Sequence, residues 1–133
     1  MSDFETRMAC QDFIIRCLRA IDDRDYDGVA SGFAEDGIWS RGGVDLVGPS
    51  AVREAMDQRP ADFETQHLAM NFVVDLAGQD TATVCYTIMG YAQTADKPYH
   101  LHAIFRATDR LKLTGAGWRF VHRTALPAFS VKG

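Results

Sequence analysis

The chain has little that would cross-link it, anchor it or draw it to polyanions. It holds only 3 cysteines in 133 residues. Cys10 and Cys17 fall on one predicted helix, about 10 Å apart by helical rise and too far for a disulfide. So sparse and odd a set reads as reduced thiols, and a cytoplasmic setting is expected. Prolines number 4, and Pro49, Pro60 and Pro98 fall at breaks between elements. Lys plus Arg is 14 against 18 Asp plus Glu, a net charge of −4 with no basic block. That excludes nucleic acid and anionic membrane as expected partners. The longest uncharged stretch, Thr81 to Ala95, is 15 residues and rich in Thr, Gln and Gly, too short and polar to span a bilayer. The opening Met-Ser-Asp-Phe-Glu-Thr-Arg has neither the basic nor the apolar region of a signal peptide. With 47% hydrophobic and 24% charged residues, the composition is ordinary for one globular domain over 1–133.

Amphipathic patterning fills this frame. Over residues 4–23, Ile14, Cys17, Leu18 and Ile21 recur at helical spacing, with Phe4, Met8 and Ile15 widening the stripe. Arg16, Arg19 and Asp23 lie opposite. Asp22 comes four residues after Leu18, so it rides on the apolar face. A second short helix is expected over 25–34 and a strand over 38–41, followed by a Gly42-Gly43 turn. A helix then runs from Ser50 as N-cap to about Gln58, closed by Pro60. Four runs rich in Val, Ile, Thr, Tyr and Phe follow, at 64–76, 81–93, 99–112 and 117–129. The short turns between them imply an antiparallel meander. This order predicts an α+β fold, cone-shaped, with about three N-terminal helices packed on a curved, mostly antiparallel sheet that encloses a pocket.

Ideal alternation along 64–76 points Leu68, Met70, Phe72, Val74 and Leu76 one way and Thr65, His67, Ala69, Asn71 and Val73 the other. His67 and Asn71 then share a face with small neighbours, as a cavity wall would. A buried histidine needs a partner for each ring nitrogen, and Asp22 is the candidate. A carboxylate on one nitrogen fixes the tautomer and leaves the other to accept a proton, a general base worth about 10²–10⁴ in rate. The alternative is a satisfied core histidine, with Asp22 capping something local.

Tyr86 and Tyr91 fall on opposite faces of an ideal strand, so only one reaches the cavity unless a bulge intervenes. That tyrosine either polarises a substrate carbonyl or is an ordinary strand aromatic. His102 is read as pocket lining. His100, His102 and His67 lack the carboxylate or thiol that would complete a metal set by spacing, so neither metal nor cofactor is expected. Trp39, near the expected mouth, either stacks on a flat substrate or belongs to the core. Arg123 is expected to pair with an acid of the first helices, Asp109 to sit at a solvated strand end, and His122 to follow Trp118 and Phe120 on their face.

The pieces Ala20-Ile21-Asp22-Asp23-Arg24-Asp25-Tyr26-Asp27, Val47-Gly48-Pro49-Ser50-Ala51-Val52, Thr65-Gln66-His67-Leu68-Ala69-Met70-Asn71 and Gly117-Trp118-Arg119-Phe120 together resemble the nuclear-transport-factor-2-like superfamily, in particular its SnoaL-like members. The first-helix Asp and the Thr-Gln-His strand look like the pair of scytalone dehydratase, hexachlorocyclohexane dehydrochlorinase and bile-acid dehydratase. The resemblance implies that His67 abstracts a proton and that Asp22 supports it. Two departures disfavour a scytalone substrate: Ile21 stands where scytalone dehydratase has Tyr, and Ala92 stands near its second catalytic His.

The expectation is a cofactor-independent lyase or isomerase, dehydratase-type, with Asp22 and His67 catalytic. Trp39, Asn71, Tyr86, Tyr91 and His102 are expected to contact a hydrophobic, carbonyl-bearing small molecule such as a polyketide, steroid or aromatic degradation product. A non-catalytic ligand-binding or assembly subunit is the alternative. The Leu68, Met70, Phe72 face has no helix to cover it, which predicts a homodimer or homotrimer through the sheet.

Overall fold

Helix α1 (Asp3–Asp22) begins where Ser2 Oγ accepts the Glu5 N–H at 3.1 Å, with Asp3 and Glu5 in the first turn and Arg19 in the last. All three charges suit the helix dipole. Its buried stripe is Thr6, Cys10, Ile14, Cys17, Leu18 and Ile21. Phe4, Met8 and Ile15 are exposed and do not widen it, because the stripe they were assigned to is already filled by Thr6 and Cys10 where the helix meets the sheet. Helix α2 (Tyr26–Ser31) is capped by Asp25, whose Oδ1 accepts the Gly28 N–H at 3.0 Å. These residues belong to a computed structural model that describes positions 1–129.

Strand β1 (Phe33–Arg41) starts earlier than the sequence pattern suggests, and it pairs with an unforeseen strand β2 (Val44–Val47). Gly42 and Gly43 both have positive φ (53° and 83°) in the two-residue turn between them, the conformation that a tight hairpin of this twist requires. Helix α3 (Gly48–Asp57) begins at Gly48-Pro49 rather than at a Ser50 cap. Proline's fixed φ and missing N–H suit the first helical turn.

The remaining strands are β3 (Glu64–Leu76), β4 (Thr81–Gln93), β5 (His100–Thr114) and β6 (Gly117–Pro127). The sheet order is β2-β1-β6-β5-β4-β3. Every pairing is antiparallel except β1 with β6. The three helices pack against this unclosed six-stranded sheet, an α+β arrangement of the nuclear-transport-factor-2-like kind.

Besides an irregularity of β1 against β6 between Phe33 and Ile38, bulges in β3, β5 and β6 change which residues face the helices. In β3, Met70 pairs with Thr87 and Val73 with Cys85, so one extra residue is inserted. Asn71 takes it up with φ 59°, a left-handed conformation that asparagine tolerates better than most residues. Before the bulge Thr65, His67 and Ala69 face inward; after it, Phe72, Val74 and Leu76 do. In β5 the extra residue is His102, and in β6 it is Val121.

The inner space divides in two. At one end Phe120 meets Phe13 and Phe33 at 4.8 and 4.9 Å between ring centroids, with Val84 and Leu111 fully buried beside them. Each such aliphatic side chain removed from water contributes about 1.5–3 kcal/mol. The other end is not filled.

Candidate functional site

The unfilled end is a pocket of about 720 Å³. Its apolar wall comes from Leu18 and Ile21 of α1, Met56 of α3, and Ile88 and Phe105 of the sheet. The polar groups on it are placed by strand register and by the end of α1.

Asp22 is the last residue of α1, one step past Ile21, so its carboxylate leaves the helix toward β3. Oδ2 accepts the His67 backbone N–H at 2.8 Å, and Oδ1 accepts the Thr65 hydroxyl at 2.9 Å. Oδ1 also meets His67 Nδ1 at 2.5 Å. A carboxylate in this role can only accept, so Nδ1 carries the hydrogen and Nε2 of the neutral ring keeps a free lone pair. Burial pushes the Asp22 pKa up, but the hydrogen bonds from His67 and Thr65 outweigh it and hold the group below its ordinary value.

His67 lines the pocket. Directly across the β3–β4 ladder stands Gly90, where an added Cβ would lie 3.8 Å from His67 Nε2. The missing side chain at Gly90 leaves the space in front of that nitrogen open.

Two residues not expected among the site residues, Thr65 (placed on the His67 face by alternation) and Arg59, hold this arrangement. Thr65 bridges Asp22 and Arg59, receiving the Arg59 Nη2 hydrogen bond at 2.9 Å. Arg59 Nη1 also reaches the Ile21 carbonyl and the Tyr26 hydroxyl, each at 3.1 Å, tying the end of α1 to the loop before β3. Thr65 shares the inward phase with His67, and that alternation was the available signal. Arg59 follows α3 with no periodicity to mark it.

Of the other expected contacts, Trp39, Tyr91 and His102 line the pocket. Trp39 is nearly buried and stacks on Phe33 at 5.6 Å, so it is both core and wall. His102 sits edge-on to Phe63 at 5.5 Å. Asn71 and Tyr86 do not line the pocket. Asn71 is exposed at the β3 bulge, which turns it off the inner face. Tyr86 faces inward but lies deeper, stacked on Phe72 at 5.0 Å. Among the described residues no group of three or more His, Cys, Asp or Glu could hold a metal ion.

Behind the pocket lies a second polar cluster. The Tyr86 hydroxyl donates to Asp109 Oδ2 at 2.5 Å, Arg123 Nη1 donates to Cys17 Sγ at 3.1 Å, and Arg123 Nε stands 3.8 Å from Asp109 Oδ1. Asp109 is therefore fully buried, not at a solvated strand end. It alternates inward with Phe105, Ala107 and Leu111. Arg123 pairs with this β5 residue rather than with a helix acid. The Val121 bulge puts Arg123 inward and sends His122 to the outer face, where Nε2 meets Ser40 Oγ at 3.0 Å. Burial raises the Asp109 pKa to about 6, against the lowering pull of Arg123 and Tyr86.

No helix is long and apolar enough to cross a membrane among the described residues. The SnoaL-like domain model matches residues 2–124, and the chain belongs to that family. Solved structures of similar fold include a protein assigned as an aromatic ring hydroxylase from Novosphingobium aromaticivorans, at 25% identity and TM-score 0.86, covering 100% of this chain and 96% of that one. An NTF2-like protein with a cystatin-like fold from the same organism gives 22% and 0.84, covering 96% and 85%. A protein assigned as a scytalone dehydratase, also from that organism, gives 17% and 0.83, covering 94% and 88%. At those identities the last two likenesses concern the fold alone. No curated protein matches the chain.

Proposed function

We propose that this SnoaL-like protein is a cofactor-independent lyase or isomerase in which His67 removes a proton beside a carbonyl or a leaving group and Asp22 orients its ring. The observation that carries the reading is the 2.5 Å contact between Asp22 and His67 Nδ1 next to an open pocket. With Nδ1 hydrogen-bonded to a carboxylate, Nε2 is the basic atom. The imidazolium formed on proton uptake stays paired with Asp22.

Dehydration is the first choice of reaction. The C–H electron pair becomes the new C=C bond as the C–O bond breaks, and the proton held at Nε2 departs with the hydroxyl as water. Atoms and charge balance without a cofactor. A double-bond shift uses the same base and returns the proton at another carbon; cyclisation comes next. The substrate is a hydrophobic carbonyl compound of polyketide, steroid or aromatic-degradation type. Tyr86 is turned into the deep cluster and Tyr91 alternates with the inward Gly90 on β4, so of the expected wall aromatics Trp39 is the one whose side chain faces the pocket and can meet the electron-accepting oxygen.

A panel of β-hydroxy ketones, followed by enone absorbance, tests the proposal. Wild-type turnover should fall by about 10²-fold or more in His67→Gln and in Asp22→Asn, with the circular dichroism unchanged. Undiminished turnover in His67→Gln would sink it. A non-catalytic binding subunit predicts a filled pocket or Asp22 apart from His67, and the open pocket and short contact favour the catalytic reading instead.

The assembly we propose is a cytoplasmic homodimer or homotrimer joined through the outer sheet face. Leu68 and Val73 stay exposed there, although Phe72 has turned inward. A monomer in light scattering at micromolar concentration would count against it.

A further inference from the structure

We propose that the ligand of this pocket carries a carboxylate, and that Arg41 at the mouth anchors it while the apolar body lies along the wall toward His67. The anion preference follows from the pocket's charge; only the direction of the body rests on the reading of His67 as the base.

The chain is acidic overall, at −4, yet its pocket is not. Arg41, Arg59 and Arg123 line it, and among the described residues no Asp or Glu does, Asp22 being taken up by His67 and Thr65 at its edge. Two of the three guanidinium groups have other work. Arg123 faces Asp109 and Cys17 behind the wall. Arg59 is held by Thr65, Tyr26 and the Ile21 carbonyl. Arg41 makes no hydrogen bond or ion pair with any described side chain or carbonyl, and its guanidinium lies over the Trp39 ring at 4.7 Å.

Arg41 also stands at the opening. It begins the hairpin turn whose Gly42 and Gly43 complete the rim. A Cβ added to either glycine would meet nothing within 4 Å, so the turn itself does not crowd the opening. Withdrawal from water, then the charges of Arg59 and Arg123, lower the Arg41 pKa from its ordinary value. Like charges lining one pocket are relieved by an anion. A proton taken up by His67 would add one more positive charge to the same wall, and a ligand carboxylate offsets that as well.

A carboxylate fits better than a phosphate. One unpaired guanidinium presents a planar fork of N–H groups that matches two oxygens, whereas a phosphate dianion calls for more donors than the rim provides. The rest of the wall is apolar and suits a ring system. A volume of about 720 Å³ lies within the roughly 300–1,000 Å³ of small-molecule sites.

The test compares 2-naphthoate with methyl 2-naphthyl ketone, which share the ring and differ in charge, by isothermal titration calorimetry at low salt. Wild-type protein should bind the naphthoate about tenfold or more tightly than the ketone, with the gap narrowing as salt is added. Arg41→Gln should erase the gap, and Gly90→Leu, which fills the space before His67, should remove binding of both. Equal affinities, no naphthoate binding up to millimolar concentration, or a gap that survives Arg41→Gln would overturn the proposal. His67→Gln separates it from the reaction. If the gap persists in that variant while wild type turns over none of the β-hydroxy ketones or their carboxylate derivatives, the lyase reading fails and the ligand class stands.

Discussion

Asp22 and Asp109 are both carboxylates withdrawn from water on the inner side of one sheet, and they behave in opposite ways. Asp22 ends a helix at the pocket edge and collects three donors: the His67 ring, the His67 N–H and the Thr65 hydroxyl. Asp109 is fully buried in mid-strand and has one short hydrogen bond, from Tyr86; its Oδ1 has none. Arg123 is near, but at 3.8 Å it does not replace a hydrogen bond. Burial pushes both pKa values up, yet only Asp109 ends above its ordinary value. Donors aimed at the oxygens, together with the shallower setting at the pocket edge, keep Asp22 charged, whereas full burial with one donor leaves Asp109 easy to protonate. Asp22 is thereby kept as a fixed negative partner for the His67 ring, and Asp109 as the weakly held counter-charge of Arg123.

The largest effect expected from breaking this contrast is on stability. Asp109→Ala leaves the buried Arg123 guanidinium without a nearby carboxylate and the Tyr86 hydroxyl without its acceptor. Losing one partner of a buried pair costs about 3–5 kcal/mol, readable as a lowered midpoint in urea unfolding. Arg123→Met should cost less, because the stranded Asp109 can take up a proton. Equal losses would mean that the stranded Asp109 does not relieve itself by taking up a proton.

The next effect is on the pH dependence. The folded-state value of Asp109, about 6, lies above its ordinary 3.8. Between these values the folded chain holds a proton that the unfolded chain releases. Asp109 therefore favours the fold fully below about pH 4, and this contribution is lost as the pH rises through 6. Two pKa units amount to about 3 kcal/mol. Asp22, held below its ordinary value, does the reverse: it stabilises the fold above about pH 4 and loses that contribution at lower pH. Subtracting the stability profile of Asp109→Asn from that of wild type should expose a downward slope between pH 4 and 6. A flat difference would put Asp109 at an unshifted value.

A smaller stability change is expected at the pocket edge. Asp22→Asn keeps the shape but cannot accept from all three donors at once. It should cost about 2 kcal/mol in the same unfolding experiment, less than Asp109→Ala, even though its effect on turnover is proposed to be large. That divergence would mark Asp22 as held for chemistry and Asp109 for the fold.

Much of this was legible in the residue pattern, and the clearest limit is the phase change that a bulge imposes. Helix phase singled out Asp22, because Leu18 and Asp22 are one turn apart whatever surrounds them. Strand alternation put Thr65 and His67 on one face, since no bulge precedes them in β3. Beyond each bulge the alternation changes phase. Asn71 left the pocket at the first, and His122 changed faces at the third, bringing Arg123 inward. Asp109 was readable without any bulge, by its alternation with Ala107 and Leu111, but a charge beside Arg110 looked like a wet strand end. Tyr86 faced inward on a regular strand, and depth along the pocket, which alternation does not encode, kept it from the wall. Arg41 follows Trp39 by two residues at the end of β1, so alternation put it on the pocket face, whereas Arg59 left no periodic trace because it follows a helix.

The bulge at Asn71 keeps both carboxylates in use. It lets one strand offer Thr65 and His67 to Asp22, then Phe72 to the Tyr86 ring that donates to Asp109. Its conformation should be the sensitive feature, not its side chain. Asn71→Gly keeps the positive φ without strain and should shift the unfolding free energy by no more than about 0.5 kcal/mol. Asn71→Val places a β-branched residue in the left-handed region and should cost about 1–2 kcal/mol. If valine instead expels the bulge, β3 slips by one residue and the alternation along its far half reverses. Phe72 would then leave Tyr86 for the outer face, and the near-ultraviolet circular dichroism of that stacked pair would fade. A valine variant as stable as wild type, with that signal intact, would show that the bulge is set by the neighbouring strand rather than by asparagine.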